Sequence, residues 1–189
     1  MLLADYTIQN VIYAVGETVV ARALDPEGKL VMVKYQDTRY PSLDFDARWQ
    51  HEYSVLQSIQ SEWVIKSLAL TQYANSRMLV LEYFSETNLS QMISHHRLDL
   101  SDRLAIAIQL AVALSDVHKY HFIHGDISAK NVLLEPISLK LKLCDFGLST
   151  RLSREQKQDS DGFLRGTLEY ISPEQTGRTN LDIDYRSDF

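Results

Sequence analysis

A single cysteine, Cys144, stands in 189 residues. That excludes an internal disulfide framework and any zinc site built on several thiolates, and nothing calls for an oxidising compartment, so the expected location is the cytoplasm. Positive charge is also scarce. The formal net charge is -6 and the isoelectric point about 5.5, which leaves no basic stripe for a nucleic-acid backbone and no cationic face for anionic lipid. No nucleic-acid partner is expected. Long apolar runs are missing: the longest, Leu104 to Leu114, is too short to span a bilayer and contains Gln109. Met1 to Tyr6 lacks the basic and apolar regions of a signal peptide, so no membrane segment is expected. Repeats, low-complexity tracts and flexible linkers are absent too. What is present suits one large domain or two small lobes, because 45% of the residues are apolar and a sizeable core is within reach.

The periodicity changes partway along the chain. To about Phe84 it reads as short β-rich runs around one helix: Val11 to Val15, Thr18 to Leu24 and Leu30 to Tyr35, with Asp25-Pro26-Glu27-Gly28 as the turn between the last two. Asp44 to Ile59 carries Phe45, Trp49, Tyr53 and Leu56 at helical spacing, and Leu79 to Phe84 returns to strand character. The remainder is mainly helical. Leu100-Ser101-Asp102 is expected to open a helix running through Leu104, Ile108, Ala111, Leu114 and Val117 and ending near His121. A β-rich lobe, about residues 1–84, followed by a helical lobe, residues 85–189, is an α+β arrangement.

Chemistry concentrates in His124-Gly125-Asp126-Ile127-Ser128-Ala129-Lys130-Asn131, which fits HxDxxxxN. Phosphoryl transfer to a hydroxyl needs a carboxylate to orient the nucleophile and accept its proton, and an oxygen ligand for Mg. Asp126 and Asn131 are the candidates; the alternative is that both are ordinary turn residues. Further on, Leu143-Cys144-Asp145-Phe146-Gly147-Leu148 ends a strand in an acidic residue, an aromatic and a glycine. Asp145 offers the carboxylate oxygen that a hard cation prefers.

Together with Gly166-Thr167-Leu168-Glu169-Tyr170-Ile171-Ser172-Pro173-Glu174, these motifs resemble the eukaryotic-type Ser/Thr protein kinase family. The resemblance runs from about Tyr6 to Phe189. It implies a bilobal protein-kinase-like fold with a β-rich N-lobe and a helical C-lobe missing its last helices. It implies further that Asp126 is the catalytic base, that Asn131 and Asp145 hold Mg2+, that Leu148 to Gly166 is the activation loop, and that Glu174 fills the place of the APE glutamate. Val31-Met32-Val33-Lys34 resembles the family's lysine-bearing strand. Lys34 would hold the α- and β-phosphates of ATP, with Glu52 as its helical partner; the plain alternative makes both solvated surface charges. Leu79 to Phe84 resembles the strand-to-hinge segment, with Leu81 as gatekeeper and the backbones of Glu82 and Phe84 meeting adenine, or else is a simple buried strand end.

The sequence also departs from the family. Of the pattern GxGxxGxV only Gly16 remains in Tyr13 to Val19, and Glu17 adds a like charge where phosphates would lie. Gly125 replaces an arginine that pairs with a phosphorylated activation loop, which implies constitutive or otherwise-regulated activity. Ser128 replaces the lysine of Ser/Thr kinases, and Lys130 stands where tyrosine kinases place arginine. Gly166 to Tyr170, in contrast, matches the GTxxY of Ser/Thr kinases. Thr176 to Phe189 resembles kinase domains at the N-terminus of very large bacterial signalling proteins, which implies downstream signalling domains in a longer parent and Asp188 at the start of a central apolar helix.

Two other readings stay open. A pseudokinase is favoured by the depleted glycine loop and opposed by the retention of Lys34, Glu52, Asp126, Asn131 and Asp145. Small-molecule kinases such as aminoglycoside and choline phosphotransferases share the His-Gly-Asp spelling but are not expected to carry Asp-Phe-Gly or GTxxYxxPE. His95-His96 reads as solvent-exposed, His118 and His121 as helix-end residues suiting the dipole, and Cys144 as a buried strand residue. The expected partners are therefore ATP and a protein substrate.

Overall fold

The computed structural model describes residues 2–36, 43–73, 76–95, 98–152, 167–176 and 182–189, with the side chains of 43–45 excepted. It divides into two compact units, one made of residues 1–57 and 65–86 and the other of residues 58–64 and 87–189.

The first unit is an antiparallel sheet with one helix. Its strands are β1 (Leu2–Leu3), β2 (Tyr6–Val15), β3 (Thr18–Leu24), β4 (Leu30–Gln36), β5 (Ser67–Tyr73) and β6 (Ser76–Glu82), and its helix is α1 (Leu43–Ser58). Their order in the sheet is β1-β2-β3-β4-β6-β5. The expected turn between β3 and β4 forms because Asp25 closes it: its carboxylate accepts from the amides of Glu27 (3.0 Å) and Lys29 (2.8 Å), while Gly28 takes φ +81°. Alternation along β4 then sorts its side chains. Val31, Val33 and Tyr35 join Leu3, Ala21, Ala23, Met78 and Val80 in one buried cluster, and Met32 and Lys34 point to the opposite face. α1 buries Trp49, Glu52, Val55 and Leu56. Strand β5 was not anticipated from the sequence; its Ser-Leu-Ala-Leu-Thr-Gln-Tyr run is mostly half-exposed and carries little β-branched signal.

The second unit is built on α2 (Leu89–His95) and α3 (Leu100–Lys119) with four short strands, β7 (Phe122–Ile123), β8 (Val132–Leu134), β9 (Leu141–Leu143) and β10 (Thr150–Arg151). Two antiparallel pairs result, β8 with β9 and β7 with β10. The N-cap of α3 is Asp99, just before the expected Leu100-Ser101-Asp102: its carboxylate accepts from Asp102 N (2.8 Å) and Asp102 returns a bond to Asp99 N (3.2 Å), a capping box. Its buried face is also displaced from the expected one. Ile106, Ala113, Leu114 and Val117 are buried, whereas Leu100, Leu104, Ile108 and Val112 form an exposed stripe at helical spacing. Among the described residues, no helix is long and apolar enough to cross a membrane.

Candidate active site

In the first unit, Lys34 sits on a central strand, paired to Val20 of β3 and Leu79 of β6. Its Nζ lies 2.9 Å from Glu52 Oε2, and the residues are 5% and 0% exposed. Neither is a solvated surface charge. Removing either partner of a buried pair is strongly destabilising. Gly16 makes the β2–β3 turn with φ +58°. A Cβ there would meet nothing within 4 Å, so the glycine serves backbone conformation, as a two-residue hairpin demands. The Glu17 carboxylate beside it accepts from Gln36 Nε2 at 2.9 Å. Glu82 closes β6 with its N–H donating to Lys66 O and its carboxylate accepting from Lys66 N, both at 2.9 Å. Phe84 follows beyond the strand, half-buried.

The second unit brings Asp126, Asn131 and Asp145 to one place through hairpin register. Val132 pairs with Leu143, and the amide of Cys144 donates to Asn131 O at 3.0 Å, so Asp145 follows the residue facing Asn131. Asn131 Nδ2 donates to Asp126 O (2.8 Å) and Asp126 Oδ2 (2.9 Å), which leaves the amide oxygen of Asn131 as its metal-capable atom. The other oxygen of Asp126, Oδ1, accepts from Thr167 N at 2.8 Å. Asp126 and Asp145 are half-buried. Asp145 has φ +64°, a left-handed conformation that Asp tolerates better than most residues. The donors on hand are thus one carboxylate and one amide oxygen, the sparse protein set on which a phosphate-bridging Mg rests. A cavity of about 180 Å³ opens beside Asp126, bordered by Ile127, Thr167, Tyr170, Gln175 and Phe189.

Behind these residues lies a packed support. The Phe146 ring is fully buried and stands 4.5 Å from the ring of His124, whose Nε2 is 3.1 Å from Cys144 O. Burial holds the His124 imidazole below its ordinary pKa, against the opposing pull of Asp188, so it is neutral. Asp188 is 4% exposed, and its carboxylate accepts from the amides of His124 and Gly125 (2.9 Å each) and from His118 Nε2 (2.8 Å). Asp188 lies in a 3-10 turn, Tyr185–Asp188, and Tyr185 and Phe189 place their rings about 6.0 and 5.9 Å from His118. His118 is therefore a structural partner of Asp188, not merely a helix-end residue. Gln175 adds a further contact, Nε2 to Gly125 O at 2.7 Å. Sequence reasoning missed the supporting roles of His118 and Gln175, and for Asp188 it pointed to a helix start but not to these hydrogen bonds.

Other expectations are placed plainly. Ser128 is buried, and its hydroxyl has no partner among the described residues; Lys130 and His95 are exposed, and His121 is exposed with φ +62°. Cys144 follows β9 and is half-buried instead of lying in the strand. Glu174 accepts from the Ser187 hydroxyl, which holds its carboxyl below the usual range. Within the expected activation loop, residues 153–166, including Gly166, lie outside the described residues, as do His96 and residues 177–181.

Residues 15–189 match the family described as Protein kinase domain. Wall-associated receptor kinase 1 of Arabidopsis thaliana is 30% identical over 181 residues, covering 91% of this chain and 24% of that protein. Receptor protein kinase WSS1 of Oryza sativa subsp. japonica is 28% identical over 168 residues, covering 83% and 18%. The RasGEF domain-containing serine/threonine-protein kinase X of Dictyostelium discoideum is 28% identical over 124 residues, covering 65% and 13%. The chain spans less than a quarter of the length of these relatives.

Proposed function

The chain belongs to the protein kinase family, and on that footing we propose that it transfers the γ-phosphoryl group of ATP to serine or threonine hydroxyls of a protein substrate. The observation that carries this reading is the Asp126 carboxylate, fixed through both oxygens by Thr167 N and Asn131 Nδ2 and accompanied by the oxygen donors of Asn131 and Asp145. Asp126 orients the incoming hydroxyl and takes its proton as the oxygen attacks the γ-phosphorus and ADP leaves. Lys34, held by Glu52, contacts the α- and β-phosphates, and the backbones of Glu82 and Phe84 meet the adenine. Gly16 forms the turn over the phosphates. Asn131 and Asp145 would hold Mg2+, which when bound neutralises charge on the phosphates.

The choice of serine or threonine over tyrosine rests on Thr167 and Tyr170, which match the GTxxY spelling. The cavity beside Asp126, at about 180 Å³, falls below the range of drug-sized ligand pockets, roughly 300 to 1,000 Å³, and suits a single substrate side chain. A signalling role in the cytoplasm, with further signalling domains in a longer parent, completes the proposal. The test is γ-phosphate transfer to a generic protein substrate, with and without Mg2+, followed by identification of the modified residue, for the wild type and Asp126→Asn. The variant is expected to bind ATP and to lose about 100- to 10,000-fold in turnover. Wild-type turnover by Asp126→Asn would sink the assignment, and nucleotide binding without transfer by the wild type would favour the pseudokinase reading.

A further inference from the structure

The peptide unit joining Gly125 to Asp126 sets the direction from which the Asp126 side chain leaves the backbone, and its two polar ends are held very unequally. Its N–H donates to His124 Nδ1 at 3.3 Å, a long contact. Its carbonyl accepts from Gln175 Nε2 at 2.7 Å. The residue on one side of it is glycine at φ +77°, the type with the widest choice of alternative conformations. A peptide next to such a residue turns easily unless something grips it, and the strong grip is on the carbonyl.

Position 125 is also closed to side chains. A Cβ added there would lie 3.0 Å from Leu148 O and 3.8 Å from Gln175 Nε2. The Gln175 amide thus borders the ground that a larger residue at 125 would need. Its other end is committed as well: Gln175 Oε1 accepts from Ser172 N and Ser172 Oγ, both at 3.0 Å. The amide is spanned between the Ser172 turn and the Gly125 carbonyl, and its orientation is fixed by its partners, since only the nitrogen end can donate to a carbonyl.

We propose that Gln175 is a positioning residue for phosphotransfer, holding the Gly125–Asp126 peptide, and with it the Asp126 carboxylate, in reacting geometry through an uncharged hydrogen bond. The inference rests on the reading of Asp126 as proton acceptor. It supplies what a glycine at 125 would otherwise lack, a fixed loop without a charged side chain or a phosphate to secure it.

Gln175→Glu separates this role from a local one. Glutamate keeps an acceptor for Ser172 N and Oγ but brings a carboxylate oxygen against Gly125 O. Gln175→Met keeps the length and removes every polar contact. In the full-length protein both variants are expected to lower kcat about tenfold, the weight of one hydrogen bond expressed in the barrier, with KM for MgATP unchanged. Wild-type kcat in Gln175→Glu overturns the proposal and confines Gln175 to the Ser172 turn; a raised KM at unchanged kcat overturns it also. Should Gln175→Glu fail to fold, Gln175→Met decides, a tenfold loss supporting and a wild-type kcat refuting. Asp126→Asn measured alongside separates the two layers: full turnover there removes the reading of Asp126 itself, whereas its loss beside a fully active Gln175→Glu removes only the role of Gln175.

Discussion

Replacing Asp188 by alanine removes one buried side chain and three hydrogen bonds at once. The carboxylate is the acceptor for His124 N, Gly125 N and His118 Nε2, and His124 is fully buried. Two backbone N–H groups therefore lose their partner within the loop that carries Asp126. Each unsatisfied buried donor costs about 1–3 kcal/mol, so the pair costs roughly 2–6 kcal/mol, less where water can enter the vacated volume. Against a total stability of about 5–15 kcal/mol this is a large fraction. Asp188→Asn keeps one oxygen but turns an NH2 group toward the remaining donors, and an intermediate loss is expected. Urea unfolding at neutral pH, with the slope checked for constancy across variants, measures the difference. The alanine variant is also expected to lose phosphotransfer, since the loop geometry goes with the anchor. A stability within about 0.5 kcal/mol of wild type, the size of an ordinary surface substitution, would refute the claim that this carboxylate bears the loop.

Asp145→Ala is expected to weaken Mg-dependent nucleotide binding more than Mg-free binding, as titration calorimetry in each condition would record; equal losses would make Asp145 purely structural. Glu52→Ala removes the carboxylate 2.9 Å from the buried Lys34 ammonium, and a destabilisation of about 3–5 kcal/mol in chemical unfolding is expected, unlike the small effect of losing an exposed charge. His124 supplies a pH dependence. Its folded pKa lies below the ordinary 6.5, so below about pH 6.5 the unfolded state takes a proton that the folded state refuses, and stability falls as pH drops. The difference between wild type and His124→Leu should therefore change between pH 7.5 and 5.5, and a constant difference would show that His124 does not titrate in this way.

The set proposed as catalytic was legible because its chemistry is local. Asp126 and Asn131 share one loop, and Asp145 lies just beyond β9, a strand that its apolar residues announce. Lys34 and Glu52 were legible through two periodicities, a strand that alternates and a helix that does not. The support was not legible, because its bonds join distant residues: Asp188 is 64 residues from His124 and 70 from His118, and Gln175 is 50 from Gly125. No local pattern distinguishes such an aspartate or glutamine from a surface one. Gly125 read as the loss of an arginine, whereas its positive φ and its closed surroundings are visible only in three dimensions. Leu104 and Ile108 fitted the helical repeat of α3 and yet face outward, since periodicity locates an apolar stripe without saying what covers it. The cap of α3 lies just before the expected stretch because Asp99, Ser101 and Asp102 are all competent and only the reciprocal bond selects Asp99.

The β8–β9 hairpin determines where the chain tolerates an insertion. Asn131 faces Cys144 because strand pairing places it there, and the six residues from Glu135 to Lys140 merely close the loop. Lengthening that loop by several residues adds little closure entropy and leaves Asn131 and Asp145 beside each other. One residue inserted inside β8 or β9, in contrast, would exchange the two faces of the strand and part them. The sequence interval between Asn131 and Asp145 can thus change at the loop without parting them, whereas the strand pairing that underlies it cannot.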